Sequence, residues 1–236
     1  MITYEAIEIV TFKERQNRFI ATCIKESGEE IVAHVKNTGR CKELLIPGVS
    51  VAVNFQDKPT RKTQYDLVAV KKNGAWFNID SQLPNALVAK GIEQKQIKFG
   101  ILKGEVIKVK REFTYGESRF DFLIETDQEE RLLLEVKGMT LESEAIGSFP
   151  DAPSLRGLKH VRGLVSAKEA GYLGAVLFVV QFEEIRYATI NQEMQPDLQD
   201  AMQEGMAQGL EVLAYSCYVT PESIAIKEQV PFKLVN

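Results

Sequence analysis

The sequence has 236 residues, 44% of them hydrophobic, with a formal net charge of −4 and an isoelectric point near 5.5. This composition excludes a disordered chain and allows one large or two small domains with their own cores. Because nucleic-acid-binding proteins usually carry a basic surface, the overall acidity argues mildly against that function, and the distribution of the charges matters more.

The sequence shows no sign of a disulfide framework, a zinc site or a membrane anchor. Its three cysteines, Cys23, Cys41 and Cys217, have no metal-ligand spacing. Glu5 stands where a signal peptide would carry basic charge, and the longest apolar run, 173–180, is too short to span a bilayer. We therefore expect a cytoplasmic protein without a membrane partner.

The first part of the chain, residues 1–82, predicts a small β-barrel of the OB type. Short apolar segments separated by turn residues indicate five strands, at 7–12, 18–24, 31–35, 49–55 and 67–70. OB folds often bind single strands of nucleic acid through basic grooves and aromatic side chains. Phe12 and Phe19 suit either such a groove or the barrel core.

An unusual polar segment at 34–48 interrupts the predicted barrel. Its basic residues Arg40 and Lys42 could face a phosphate, since Asn37 and Gly39 readily adopt turn conformations. Alternatively, Asn37 and Thr38 simply close a loop.

A linker at 81–85 leads to the second part of the chain. Asn85 is predicted to cap a helix that runs to about residue 97, and a strand follows at 104–113. The stretch 90–111 contains seven basic residues against two acids. Such a cluster indicates either a phosphate-binding surface or a patchwork of solvated charges.

The segment 118–139 predicts a β-hairpin around a polar break at 126–130. Strand alternation places Phe120, Phe122 and Ile124 on one face. Asp121 and Glu135 are equally distant from the centre of the break, so a symmetric hairpin would bring both carboxylates to one face. Like charges opposed on a sheet are unfavourable unless something compensates them.

A divalent cation is the simplest compensation for this pair of acids. Mg²⁺ or Mn²⁺ held by Asp121 and Glu135 could activate a water for phosphodiester hydrolysis, and Lys137 would project from the same face toward the substrate. The alternative is that the Glu-x-Lys pattern marks a solvated edge strand. The apolar run 132–136 and the basic segment that follows favour the catalytic interpretation.

The rest of the chain predicts an α/β core in which a helix connects two parallel strands. Asp151 or Ser154 would cap the helix, which runs to about residue 170, and a buried strand follows at 173–181. One stripe of this helix carries residues that could follow a nucleic-acid backbone, namely Arg156, Lys159, His160 and Gly163. A further helix is predicted at 197–208, with closing strands at 210–219 and 224–226.

Asp121, Glu135 and Lys137 resemble the D…(D/E)-x-K pattern of the PD-(D/E)xK, or restriction-endonuclease-like, nucleases. Longer segments are similar to the sugar fermentation stimulation protein A family of bacteria and archaea. They are H-V-K-N-T-G-R-C-K-E-L-L-I-P-G (34–48), S-R-F-D-F (118–122), L-E-V-K-G-M-T-L (134–141) and F-P-D-A-P-S-L-R-G-L-K-H (149–160). In the superfamily the first acid precedes E-x-K, so this role falls to Asp121 and not to Asp151.

This resemblance implies an α/β (α+β mixed) protein with two domains, an OB-like barrel at 1–82 and a nuclease-like mixed sheet flanked by helices at 83–236. It implies DNA, single- or double-stranded, as the partner, and the backbone carbonyl of Val136 as a third metal ligand. The expected nucleic-acid contacts are Arg40, Lys42, Arg119, Arg156, Lys159 and His160. A homodimer is also consistent with the resemblance.

Three functions remain open from the sequence. The first is a nucleic-acid-binding protein with a Mg²⁺-dependent phosphodiesterase centre. The second is a DNA-binding regulator of sugar metabolism that uses a nuclease-like scaffold without chemistry. The third, a sugar-metabolising enzyme, is the least favoured, because Lys137 and the basic helix make phosphate a better substrate than sugar.

Overall fold

The computed structural model describes residues 1–37 and 39–235. A short strand, β1 (Ile2–Thr3), precedes five strands that form a closed barrel: β2 (Ile7–Arg15), β3 (Ile20–Ile24), β4 (Glu30–Val35), β5 (Ser50–Phe55) and β6 (Tyr65–Lys72). The parallel pairing of β4 with β6 closes the barrel, with Val35 opposite Leu67. The predicted OB-like barrel is confirmed. An additional strand, β7 (Ala75–Asn78), pairs with β6 and was not predicted.

The two phenylalanines of the barrel have different surroundings. Phe12 is buried in the core, whereas the ring of Phe19 is 42% exposed and lies under the guanidinium of Arg18. Thr38, which was predicted to help close the loop before β5, lies outside the described residues. The side-chain oxygen of its neighbour Asn37 accepts a hydrogen bond from the backbone N–H of Gly39.

The helix after the barrel, α1 (Leu83–Glu93), begins earlier and ends earlier than predicted. Gln82 is the residue at its N-cap, and Pro84 occupies the first turn, where a missing N–H costs nothing. The prediction that Asn85 caps this helix is therefore wrong. Asn85 lies inside the first turn, and its side chain is free to contact the neighbouring sheet.

The second part of the chain contains a large mixed sheet and a small one. Its elements are β8 (Val106–Tyr115), β9 (Ser118–Thr126), β10 (Arg131–Met139), β11 (Leu141–Ser143), β12 (Ile146–Phe149), α2 (Leu155–Ala167), β13 (Leu173–Val180), β14 (Tyr187–Ile190), α3 (Pro196–Ala207), β15 (Glu211–Val219) and β16 (Ser223–Val230). The seven-stranded sheet has the order β1-β16-β15-β13-β10-β9-β8, and β11, β12 and β14 form the small sheet.

The two faces of the large sheet are covered by different helices. On one face, α1 packs with Leu87 and Val88 in a cluster that includes Phe122 and Leu134 of the sheet. The opposite face packs against α2 and α3. The predicted crossover is confirmed, because β10 and β13 are parallel neighbours and α2 connects them. The architecture is a restriction-endonuclease-like sheet flanked by three helices.

The β9–β10 hairpin has the predicted symmetric register down to the pair Leu134–Phe122. Beyond that pair the regular alternation of β9 ends. The predicted face of Phe120 is wrong, because its ring packs with Leu123 and the α2 side of the sheet, whereas Phe122 and Ile124 face α1. The change of face coincides with the end of the backbone pairing of β9 with β10, beside Asp121.

The barrel and the large sheet are joined by hydrogen bonds. The backbone N–H of Asn78 donates to the carbonyl of Gln181 over 2.9 Å, and the side chain of Gln181 donates to Asn78 Oδ1 and to the carbonyl of Asp80. The backbone N–H of Arg40 donates to Asp151 over 2.8 Å. The loop between β4 and β5 is therefore fixed against the loop that precedes α2.

Within residues 1–37 and 39–235, we find no helix with the length and apolar character needed to cross a bilayer.

The first turn of α2 provides a test of the fold. Ser154, one of the two residues predicted to cap this helix, is its N-cap. It accepts a hydrogen bond from the backbone N–H of Gly157 over 3.1 Å. We expect Ser154→Ala to lower the free energy of unfolding by about 1 kcal/mol in urea denaturation, because this N–H loses its acceptor. The matched control is Ser166→Ala on the exposed side of the same helix, for which we expect a change within about 0.5 kcal/mol. Equal effects of both changes would contradict the capping role.

Candidate active site

The site forms where β9 and β10 separate. Beyond the pair Leu134–Phe122, the carboxylate of Asp121 takes the place of a backbone carbonyl: Oδ2 accepts the N–H of Val136 over 2.7 Å. The other oxygen, Oδ1, accepts the side-chain amide of Asn85 over 2.7 Å. Burial, followed by the negative charge of Glu135, raises the pKa of Asp121 above its ordinary value.

Glu135 follows the last paired residue of β10, Leu134, and is almost fully buried, at 3% exposure. Its Oε1 accepts a hydrogen bond from the ammonium of Lys137 and lies 2.5 Å from Nδ1 of His160. Because an ionised carboxylate only accepts, Nδ1 of His160 carries the proton of this hydrogen bond. Burial alone would raise the pKa of Glu135, but the hydrogen bond from His160 and the charge of Lys137 lower it below its ordinary value.

The second oxygen of Glu135, Oε2, is buried and has no hydrogen-bond partner among the residues that the structure describes. An unpaired buried carboxylate oxygen is costly, so its presence beside a second carboxylate is a feature that needs an explanation. Within the described residues, no group of three or more His, Cys, Asp or Glu side chains is arranged to hold a metal. Mg²⁺, however, is commonly held by one or two carboxylates with water and phosphate oxygens, so this donor set fits such an ion.

Helix α2 approaches the sheet closely enough to place His160 at Glu135. Gly163 allows the approach, because a Cβ there would lie 3.2 Å from the ring of Phe120. The ring of His160 lies 5.8 Å from the ring of Phe120, measured between centroids, and His160 is 5% exposed. Local packing of α2 against β9 therefore fixes the imidazole beside the carboxylate.

The burial of His160 corrects the prediction that it shares an exposed cationic stripe with Arg156 and Lys159. Arg156 and Lys159 are exposed on α2, and Lys159 lies 3.2 Å from Glu117. His160 faces the sheet instead, because its neighbours Val161 and Leu164 define the apolar face of the helix. It is a residue of the carboxylate site and not of the surface.

The other predicted nucleic-acid contacts are exposed residues of three different elements. The side chains of Arg40 and Lys42 are exposed in the loop between β4 and β5, and Arg119 is exposed on β9, 3.5 Å from Glu112. The guanidinium of Arg15 donates hydrogen bonds to carbonyls of the same barrel loop, including that of Arg40. Nucleic-acid binding by Arg40, Lys42, Arg119, Arg156 and Lys159 stays a prediction.

Asn85 is a site residue that the sequence interpretation missed. It is separated from Asp121 by 36 positions, and its type and place before a helix suggested a cap. No local pattern identifies its contact. For His160 a signal was present, because it lies next to Val161 and one turn before Leu164, at the spacing of a buried face.

A closed five-stranded barrel, a mixed sheet and a carboxylate pair at the split between two strands together define an OB-domain protein with a restriction-endonuclease-like domain. Two family profiles agree with this architecture. The profile described as "SfsA N-terminal OB domain" matches residues 14–79, and that described as "Sugar fermentation stimulation protein RE domain" matches residues 82–223.

Full-length relatives give the same result. A sugar fermentation stimulation protein homolog of Enterococcus mundtii is 49% identical over 231 residues, which are 98% of this chain and 96% of the relative. A homolog of Clostridium tetani is 44% identical and covers 98% of both chains. The structure of Pyrococcus furiosus SfsA in complex with Ca²⁺ has a TM-score of 0.84, with 26% identity over 98% of each chain. The chain belongs to the sugar fermentation stimulation protein family, as the sequence resemblance predicted.

The raised pKa of Asp121 predicts a specific pH dependence of stability. The pKa of Asp121 in the folded protein lies above the ordinary pKa of aspartate, about 3.9. Between these two pKa values the folded protein binds more protons than the unfolded chain, so the wild-type free energy of unfolding falls as the pH rises through this range. Asp121→Asn removes this loss. In urea unfolding with EDTA, we expect the stability of this variant relative to wild type to increase from pH 4 to pH 8.

Asp57→Asn is the control, because Asp57 is exposed on the barrel. Its stability difference from wild type should be constant over the same range. A difference for Asp121→Asn that is constant or decreases with pH would show that burial and the charge of Glu135 do not destabilise the ionised form of Asp121.

Proposed function

We propose that this protein binds nucleic acid and hydrolyses phosphodiester bonds with a divalent cation at the Asp121–Glu135 pair. The observation that carries this proposal is the buried Oε2 of Glu135, which lacks a partner among the described residues. It belongs to a carboxylate whose charge acts on a second, half-buried carboxylate, that of Asp121. The relative from Pyrococcus furiosus was solved with Ca²⁺, a cation that also prefers oxygen ligands.

Three groups would hold the cation: the carboxylates of Asp121 and Glu135 and the backbone carbonyl of Val136. In a strand, the N–H and the C=O of one residue point toward the same neighbouring strand. Because the N–H of Val136 points to Asp121, the carbonyl of Val136 also points to the gap between β10 and β9. Mg²⁺ or Mn²⁺ bound there would lower the pKa of a water molecule and neutralise charge on the phosphate.

The other residues of the site have supporting roles in this proposal. Asn85 and the N–H of Val136 hold Asp121 in one orientation, and His160 holds Glu135 by its Oε1, which leaves Oε2 for a ligand. The ammonium of Lys137 lies at the same carboxylate, where it would orient an attacking water or neutralise charge that develops on the phosphate. The lysine favours a phosphate over a sugar as substrate, although the family description refers to sugar fermentation.

The second candidate is a DNA-binding regulator without catalytic activity. The observation that favours it is the ion pair of Lys137 with Glu135, which together with His160 already compensates much of the buried charge. A site that is neutralised by its own side chains has less need of a cation. The link to sugar metabolism would then come from regulation.

Cleavage assays distinguish these two candidates. Purified protein with Mg²⁺ or Mn²⁺ should nick or degrade supercoiled, linear or single-stranded DNA. We expect Glu135→Gln and Lys137→Met each to reduce the rate at least about 100-fold, because each removes a charged group from the reacting centre.

Glu183→Gln is the matched control, since Glu183 also pairs with a lysine, Lys227, over 3.1 Å. It should retain wild-type activity. Absence of cleavage of all three substrates, together with metal-independent DNA binding that survives Glu135→Gln, would support the regulator instead.

The exposed cations of α2 should contribute to affinity through phosphate contacts. For a duplex, we expect the double change Arg156→Gln with Lys159→Gln to reduce the slope of log affinity against log salt by about 1.8, because each phosphate contact contributes about 0.9. Anisotropy titrations in EDTA at several salt concentrations measure this slope. Arg186→Gln with Lys233→Gln removes the same two charges from other exposed positions and should leave it unchanged.

A further inference from the structure

A long groove lies between the end of α1, the segment 94–105 and the edge strand β8. It has a volume of about 860 Å³, near the upper end of the range for small-molecule pockets. Its apolar lining includes Ile92, Phe99 and Leu102. On β8, the side chains of Ile107 and Val109 remain 67% and 37% exposed, although both are apolar. An exposed apolar patch of this kind usually marks an interaction surface.

The rim of the groove is basic. Lys98, Lys103 and Arg111 are exposed there. The carboxylate of Glu130 accepts a hydrogen bond from the backbone N–H of Lys103 over 3.1 Å. Lys95 also lines the groove and lies 3.1 Å from Glu105. Apolar walls with a cationic rim suit a ligand that carries both flat apolar groups and regularly spaced negative charge.

The groove shares helix α1 with the carboxylate site. Its wall includes Ala89 and Glu93 of α1, the helix whose first turn holds Asp121 through Asn85. From Asn85 to Glu93 the helix rises about 12 Å, at 1.5 Å per residue. On the opposite wall, the guanidinium of Arg111 lies 5.8 Å from the ring centroid of Phe122, the residue after Asp121. A chain bound at the site could therefore continue into the groove.

We propose that this groove holds a single strand of nucleic acid that continues from the carboxylate site. The proposal rests on the proposed function, because it extends the same substrate beyond the reacting centre. A duplex presents mainly phosphates at its surface and gains little from Ile107 and Val109. A single strand exposes its bases, which can cover these side chains while its phosphates meet the lysines.

The charge of the groove is tested with Lys98→Gln combined with Lys103→Gln. Binding of a labelled 20-nucleotide single strand is measured by anisotropy in EDTA, in a Glu135→Gln background, so that cleavage does not interfere. We expect affinity to fall about tenfold near 0.1 M salt and the salt slope to decrease by about 1.4, which corresponds to two single-strand phosphate contacts. Lys58→Gln with Lys62→Gln, two exposed lysines of the barrel, should change neither quantity.

The apolar wall is tested with Val109→Thr, which keeps the shape of the side chain. We expect a loss of single-strand affinity of about threefold or more with an unchanged salt slope, because a base contact is lost and no phosphate contact is. Val32→Thr is the matched control on the barrel, since Val32 is also an exposed strand residue, at 46%. It should bind like wild type.

Several results would overturn the groove as a single-strand site. One is wild-type affinity in all groove variants, and another is a loss confined to duplex DNA. A third is a concentration-dependent dimer in sedimentation that Val109→Thr dissociates, which would assign the groove to a second copy of the chain. If the wild-type protein bound no nucleic acid at all, the proposed function itself would fail. If the wild-type protein and the groove variants bound nucleic acid equally well, only the assignment of the groove would be contradicted.

Discussion

The structure of the site depends on one hydrogen bond, from the backbone N–H of Val136 to the carboxylate of Asp121. β9 and β10 pair regularly as far as Leu134 and Phe122 and then separate. A buried N–H left without a partner at that point would cost about 1 to 3 kcal/mol. The side chain of Asp121 provides the missing acceptor at 2.7 Å. The sheet can therefore open between two central strands, and Asp121 lies at the opening, within reach of the charge of Glu135.

The same hydrogen bond has an electrostatic consequence. It favours the ionised form of Asp121, but burial and the charge of Glu135 outweigh it and raise the pKa of Asp121, whereas His160 and Lys137 lower the pKa of Glu135 despite its burial. The two acids are thus unequal. Glu135 is stabilised as an anion by the protein itself, and Asp121 is the carboxylate whose ionised form gains more from any further positive charge.

The sequence allowed the hairpin and its symmetric register to be predicted, because alternation and a polar break are local signals. It did not reveal the loss of alternation at Phe120, which lies next to Asp121, where a side chain replaces a backbone partner. Asn85 and His160 come from two helices, and their contacts with the acids depend on how these helices pack on the sheet. Helix signals in a sequence identify caps and apolar faces, and Asn85 has the residue type of a cap. In the structure Gln82 is the N-cap and Pro84 lies in the first turn, so the helix begins before Asn85.

The two helices hold the two acids from opposite faces of one sheet. α1 packs in the cluster that contains Leu87 and donates through Asn85 to Asp121, whereas α2 packs in the other cluster and places His160 at Glu135. The distance between the acids is therefore set by two separate cores. A shift of either helix moves one carboxylate relative to the other, because a close-packed interior transmits displacement and does not absorb it. The geometry that a shared cation would require thus depends on the packing of both faces and not on the hairpin alone.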